Sequence, residues 1–306
     1  MSPEFSMNDS TVKQVRQILR QVQSHLTEAH LHRGAEQEQV GLVEVLHHPQ
    51  NTTPELNYVT PRKNTAWVSI PEVINGLKVL KGYERALRVM FIEGLFIPAF
   101  GDRLQSVGLA RESELRVMAL QLEPTELETL SPDDYDSDQT MSLGTTTFVN
   151  VNSRAESALW WYVWRNAHYD VVTQTAELRF IESSHELISN GHQLDLIMRI
   201  GGIPAGVASL TLSGDRSSAH LSSFALTRES RSLPLAKQLL EEVIEHVKSK
   251  GISLLFFAQT DVLLNTAGQG LGFVDCGGIV CYAEANDPFL SEGSDDSLAA
   301  TLHRGG

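Results

Sequence analysis

Cysteine is almost missing from this chain: Cys276 and Cys281 are the only two in 306 residues. They match neither a disulfide scaffold nor a zinc-ligand quartet, which removes the small secreted and zinc-stapled classes and fits a reducing, cytoplasmic setting. Cys276 has no histidine placed beside it in the sequence, so a buried structural thiol is expected rather than a nucleophile. Long apolar runs are lacking too. The longest candidate, Phe91 to Phe100, is interrupted by Glu93, Gly94 and Pro98, well short of the roughly 20 residues a membrane span needs, and no membrane partner is expected. Basic residues are scarce, 24 against 38 acids, and the formal charge of −14 repels a phosphate backbone, so nucleic acid is not expected as a partner. His47 and His48 stand before Pro49 with no acids or cysteines at ligand spacing; they read as a solvent-exposed turn, and no metal is expected. The first residues, "MSPEFS" ahead of Met7, lack the build of a signal peptide and read as an expression-vector scar.

What is present is ordinary for a soluble globular protein: 42% hydrophobic residues with 20% charged. The length predicts two domains. The acidic, turn-rich stretch "EPTELETLSPDDYDSDQ" from Glu123 separates two regularly patterned segments. The expected divisions are 1–6 for the scar, 7–122 for a first domain, 123–150 for an acidic linker, 151–286 for a second domain and 287–306 for a disordered tail. In the second segment the pattern predicts a helix from Ala155 to Ala167 and strands at Thr175 to Glu182, Leu194 to Ile200, Ala205 to Leu212 and Ala219 to Leu226. A long amphipathic helix follows, carrying Leu233, Ala236, Leu240, Val243 and Val247 on one face and stopped by Gly251. After it come a buried strand "ISLLFFAQ", a short helix around Val262 to Gly268, the turn "GLGF" and a last strand, Ile279 to Ala283. The first half repeats part of this order, helix, strand, helix, strand. Sliding it by about 164 residues puts Val107-Gly108 on Leu271-Gly272 and Met90-Phe91 on Leu254-Leu255.

The stretches "FALTRESRSLPLAKQLL", "ISLLFFAQT" and "GLGFVDCG" together resemble the GNAT acyltransferases: strand, loop of the form Arg-x-x-Gly-x-Gly/Ala, amphipathic helix, buried strand, short helix, Leu-Gly-Phe. The first half resembles a degenerate second copy, as in tandem GNAT proteins. The resemblance implies an α/β fold of two GNAT-like domains, each a mixed, mostly antiparallel twisted sheet flanked by helices. It implies acetyl-CoA, or another acyl-CoA, as co-substrate and a small-molecule or peptide amine as acceptor; a homodimer is compatible with it. Residues carried over to the coenzyme are Phe224, Ala225 and Leu226 on the strand, Arg231, Ser232, Leu233, Leu235 and Ala236 in the loop and first turn, and Asn265 on the short helix. His220 and Ser222, further up the strand, are the candidates for proton transfer.

Two departures from the family pattern stand out. Pro234 replaces the middle glycine, removing an N–H that a phosphate would use. Gly268 stands where many members place a tyrosine as general acid. They leave a rival reading, a GNAT-like domain without turnover that senses acyl-CoA or binds a protein. "WWYVW", Trp160 to Trp164, reads as packing, with Trp160 and Trp164 toward the core and Trp161 at a domain or subunit contact, or else as the lining of an acceptor pocket. Arg62 and Lys63 form a small basic patch.

Overall fold

The computed structural model describes residues 9–123, 145–169 and 176–284. Residues 1–6, most of the expected linker 123–150 and the expected tail 287–306 lie outside these. The described chain divides into two compact units, one made of residues up to 119 with 256–260 and from 274 onward, the other of 120–255 and 261–273.

In chain order the first unit has α1 (Asp9–His32), β1 (Glu36–Val40), β2 (Val43–His47), β3 (Tyr58–Pro61), α2 (Ile70–Gly82), β4 (Arg88–Ile92), α3 (Ala99–Gln105) and β5 (Leu109–Gln121). The second has β6 (Thr146–Asn150), α4 (Arg154–His168), α5 (Leu178–Ser189), β7 (Gln193–Ile200), β8 (Ile203–Leu212), β9 (Ser218–Leu226) and α6 (Leu233–Ser249). Strand β10 (Leu254–Ala258) is divided between the units, α7 (Val262–Gly270) belongs to the second, and β11 (Val274–Glu284) returns to the first.

Within the first unit the strand pairing is mixed. Strands β1, β2 and β3 pair antiparallel, β3 runs parallel to β4, and β11 lies antiparallel between β4 and β5. Within the second unit β6 through β9 run as an antiparallel meander. Thr146–Asn150, assigned by composition to the linker, pairs here along β7.

Helix α1 is an addition to the sequence reading. Its buried Ile18, Leu19 and Val22 share one face, and Gln23 donates to the Pro61 carbonyl at 2.8 Å. The predicted strand at Thr175 to Glu182 is a correction, since Leu178–Ser189 is helix. The alternation is real over a few residues, but buried Ile181 and Ser184 lie three apart, and Gly191, at φ +74°, is the left-handed residue that ends a helix. His47 also departs from expectation. It is buried against Tyr83, ring centroids 3.7 Å apart, because β2 is covered on both faces. Burial pushes its imidazole below the usual range.

The repeat is present in the backbone. Gly108 and Gly272 have φ of +90° and +92°. Each closes a short helix with the same pair of bonds, Val107 to Leu104 and Gly108 to Gln105 in one copy, Leu271 to Gly268 and Gly272 to Gln269 in the other. Only glycine takes that conformation without strain. The long helices also start alike, Ser69-Ile70-Pro71-Glu72 for α2 and Ser232-Leu233-Pro234-Leu235 for α6.

Candidate functional site

Helix α6 forms because Ala236, Leu239, Leu240, Val243, Ile244 and Val247 bury one face at helical spacing. Its N-cap is Ser232, whose side chain makes no capping bond. The Ala236 N–H is committed to the Ser232 carbonyl at 2.9 Å, the first bond of the helix, and so is not available to a phosphate. That leaves the N–H groups of Ser232, Leu233 and Leu235 as the orphan donors of the first turn. Pro234 contributes none, yet it fits the helix at this position because no intrahelical acceptor exists for its missing N–H.

The other helices that begin at serine are closed. At α2, Glu72 accepts from the Ser69 N–H (3.1 Å), the Ser69 hydroxyl (2.7 Å) and the Leu42 N–H (3.1 Å), while the Glu72 N–H reaches Ser69 Oγ. At α4, Glu156 and Ser153 make the same reciprocal pair. These bonds hold both carboxyls below the usual carboxylate range, the Ser69 hydroxyl first for Glu72 and the Asn152 N–H first for Glu156. Helix α6 has Leu235 in that third position and no acid to fill its own N-terminus.

Strand β9 leads into this turn. Phe224, Ala225 and Leu226 pair regularly with Ala208, Val207 and Gly206, and Thr227 donates to the Ala205 carbonyl. Because antiparallel N–H groups alternate in direction, those of Phe224 and Leu226 face away from β8. The bulge lies two residues upstream of Phe224: Ser223 opposes Ser209 and Leu221 opposes Leu210, leaving Ser222 as the extra residue. This interrupts the simple alternation expected for His220, Ser222, Phe224 and Leu226. Ser222 donates to the Ser209 carbonyl at 3.2 Å.

The register also shows a feature missing from the sequence reading. Gln193, Thr211 and His220 stand opposite one another across β7, β8 and β9, and Asp195, Ser209 and Ser223 form the next such row. All six are buried. Residues directly opposite share a sheet face, so one face of the second unit carries a buried polar strip. Gln193 Nε2 donates to both Asp195 carboxylate oxygens, at 2.9 and 3.0 Å. The signal was in the sequence as polar residues at every second position of "QLD" and "SLT", one strand at a time.

On the side of the first turn, Arg231 Nη2 donates to Asp261 Oδ2 at 2.7 Å, and Asp261 Oδ1 caps α7 by accepting from the Leu264 N–H at 2.9 Å. Asn265 lies one turn along α7, its N–H on the Asp261 carbonyl. The structure therefore gathers Arg231, Ser232, Leu233, Leu235 and Asn265 at the facing starts of α6 and α7, and places His220 and Ser222 toward the far end of β9.

Residues 158–271 match the model of the Acetyltransferase (GNAT) family. The second half of the chain carries a GNAT domain. Solved structures extend the likeness to the whole fold. A GCN5-related N-acetyltransferase from Kribbella flavida is 15% identical with a TM-score of 0.61, over 89% of this chain and 96% of its own. A tandem GNAT protein from the clavulanic acid biosynthesis pathway is 12% identical with a TM-score of 0.52, over 92% of this chain and 97% of its own. A GCN5-related N-acetyltransferase from Sphaerobacter thermophilus is 13% identical with a TM-score of 0.52, over 79% of this chain and 76% of its own. No curated protein matches the chain. The fold is that of tandem GNAT proteins, mixed and mostly antiparallel as expected.

Other candidates resolve as structure. Trp160 donates to the Ala208 carbonyl and Trp161 to Ser184 Oγ, both at 3.1 Å, so Trp161 ties α4 to α5 inside the GNAT domain rather than facing a domain contact. Tyr282 stacks on Phe91 in the first unit, and Gly101 is required beside it because a Cβ there would come within 2.5 Å of its hydroxyl. Arg62 donates to the Gly41 carbonyl and Lys63 pairs with Glu28 at 3.8 Å. Burial pushes the Cys276 thiol up to about 11, leaving no thiolate for nucleophilic work. Among the described residues no cluster of three or more metal-ligating side chains occurs, and no helix is long and apolar enough to cross a membrane.

Proposed function

We propose that the GNAT domain is an N-acyltransferase that takes its acyl group from acetyl-CoA or another acyl-CoA and passes it directly to an amine. The GNAT fold supports acyl-CoA dependent N-acyl transfer in general. The observation that carries the reading to this chain is the open first turn of α6, with an uncapped serine and three orphan N–H groups at the end of β9.

In this reading the N–H groups of Ser232, Leu233 and Leu235 and the Ser232 hydroxyl donate to the pyrophosphate, where the positive end of the α6 dipole favours negative charge. Bound there, the coenzyme supplies a thioester whose carbonyl carbon accepts the amine. The Phe224 and Leu226 N–H groups, turned away from β8, pair with the pantetheine arm and steady the carbonyl oxygen. His220, in the buried polar row with Gln193 and Thr211, takes the proton from the acceptor ammonium; Asp195 in the next row favours a cationic acceptor by charge. With Gly268 in place of a tyrosine, the proton for the departing thiolate comes from water. The acceptor is a small molecule or peptide, and the setting is the reducing cytoplasm that two free thiols suit.

A second reading, an acyl-CoA sensor or protein-binding scaffold without turnover, is favoured by Pro234 and Gly268. Thiol release from acetyl-CoA, followed across a panel of primary amines, separates the two. Amine-dependent release that falls with His220→Ala supports transfer. Binding of acetyl-CoA with no release for any amine supports the sensor.

A further inference from the structure

The Arg231 guanidinium is the nearest full positive charge in sequence to the α6 turn, and it is already engaged. Its Nη2 lies 2.7 Å from Asp261 Oδ2. Asp261 is not a flexible surface acid that swings over to meet it. Its other oxygen caps α7 at 2.9 Å from the Leu264 N–H, so the carboxylate is fixed by the helix it starts and the arginine comes to it. Arg231 is 51% exposed and Asp261 26%, so the pair is within reach of solvent and of a ligand's phosphates.

We propose that Asp261 is a specificity-determining residue of the donor site: by holding Arg231 it lowers the contribution of the donor's phosphates to binding, leaving the pantetheine thioester as the part the site chiefly reads. The proposal rests on the coenzyme reading above. Two anions cannot share one exposed guanidinium without repelling each other, and the carboxylate, fixed at the α7 N-terminus, does not move away as a phosphate approaches. Pro234 acts in the same direction by removing an amide from the cradle. The two features together make the nucleotide end of the donor weakly held, in a turn whose shape is otherwise intact.

Asp261→Asn separates charge from structure, because asparagine caps helices as well as aspartate and keeps an oxygen for the Leu264 N–H. The experiment measures equilibrium binding of acetyl-CoA and of S-acetylpantetheine, which has no phosphate, to the whole protein and this variant. The expected result is acetyl-CoA affinity about tenfold higher in Asp261→Asn at low salt, a gain that shrinks at high salt and vanishes when Arg231→Gln is added, with S-acetylpantetheine unchanged. Unchanged or weaker acetyl-CoA binding by a folded Asp261→Asn, beside measurable binding by the unaltered protein, overturns this proposal alone. An equal gain for S-acetylpantetheine overturns it too, since the effect then has nothing to do with phosphate. Failure of both proteins to bind either thioester overturns the coenzyme reading and this proposal with it.

Discussion

Helices α2 and α6 occupy equivalent places in the two copies and share the opening Ser-x-Pro, yet one first turn is filled and the other is open. In α2 the third residue is Glu72, whose carboxylate sits over Ser69 and also takes the Leu42 N–H. It is a built-in anion, placed where the other copy offers room for a phosphate. In α6 the same position is Leu235, and the Ser232 side chain makes no capping bond. The arginine differs as well: Val68 precedes Ser69 where Arg231 precedes Ser232. Degeneracy of the first copy thus has a specific form. The backbone that could hold a phosphate is retained, and one acidic side chain closes it.

The largest expected effect comes from making the open turn resemble the closed one. Leu235→Glu supplies the missing carboxylate, which reaches back to Ser232 and repels an incoming phosphate. Acetyl-CoA affinity is expected to fall about 100-fold by calorimetry, with no loss of thermal stability.

Acid should next distinguish the units. His30 in the first unit is buried, and desolvation first, then the charges of Arg33 and His48, lower its pKa from 6.5 to about 3. The unfolded chain binds that proton at higher pH than the folded one, so stability is full above 6.5 and is lost as pH falls from 6.5 toward 3. The loss between pH 7 and pH 5 is expected to be roughly 2 kcal/mol, and His30→Asn flattens it. In the second unit the Glu156 and Asp215 carboxyls are depressed, held chiefly by N–H donors, and their contribution is lost only at lower pH, as the pH falls through each folded value. Hydrogen exchange at pH 5 should therefore show β2, β3 and β4 losing protection before β7, β8 and β9.

A smaller contrast lies in the caps themselves. Ser69→Ala removes a two-way capping box and is expected to cost about 1 kcal/mol in urea unfolding, whereas Ser232→Ala, which breaks no capping bond, costs a few tenths. Smallest of all, Pro234→Gly returns one N–H to the open turn and should tighten acetyl-CoA binding about fivefold.

Much of this was legible in the sequence, because the signals are local. The α6 face repeats every three or four residues, Gly108 and Gly272 mark matching turns, and Ser232 and Pro234 declare a helix start. What was not legible depends on partners far along the chain. The Arg231–Asp261 pair spans 30 residues, and each member alone reads as an ordinary surface charge. The buried polar strip needs the register of three strands before Asp195, Ser209 and Ser223, or Gln193, Thr211 and His220, become neighbours. The bulge at Ser222 shifts a strand face that alternation alone had fixed. The strand expected at Thr175 to Glu182 runs into the helix Leu178–Ser189, because a few alternating residues outweighed Gly191, the terminator just beyond that helix.

The most direct test of the open and closed turns is the stoichiometry of acetyl-CoA binding to the intact chain, read by calorimetric titration. One molecule per chain is expected, bound at α6 and lost in Leu235→Glu. Two molecules per chain, or none, would contradict it.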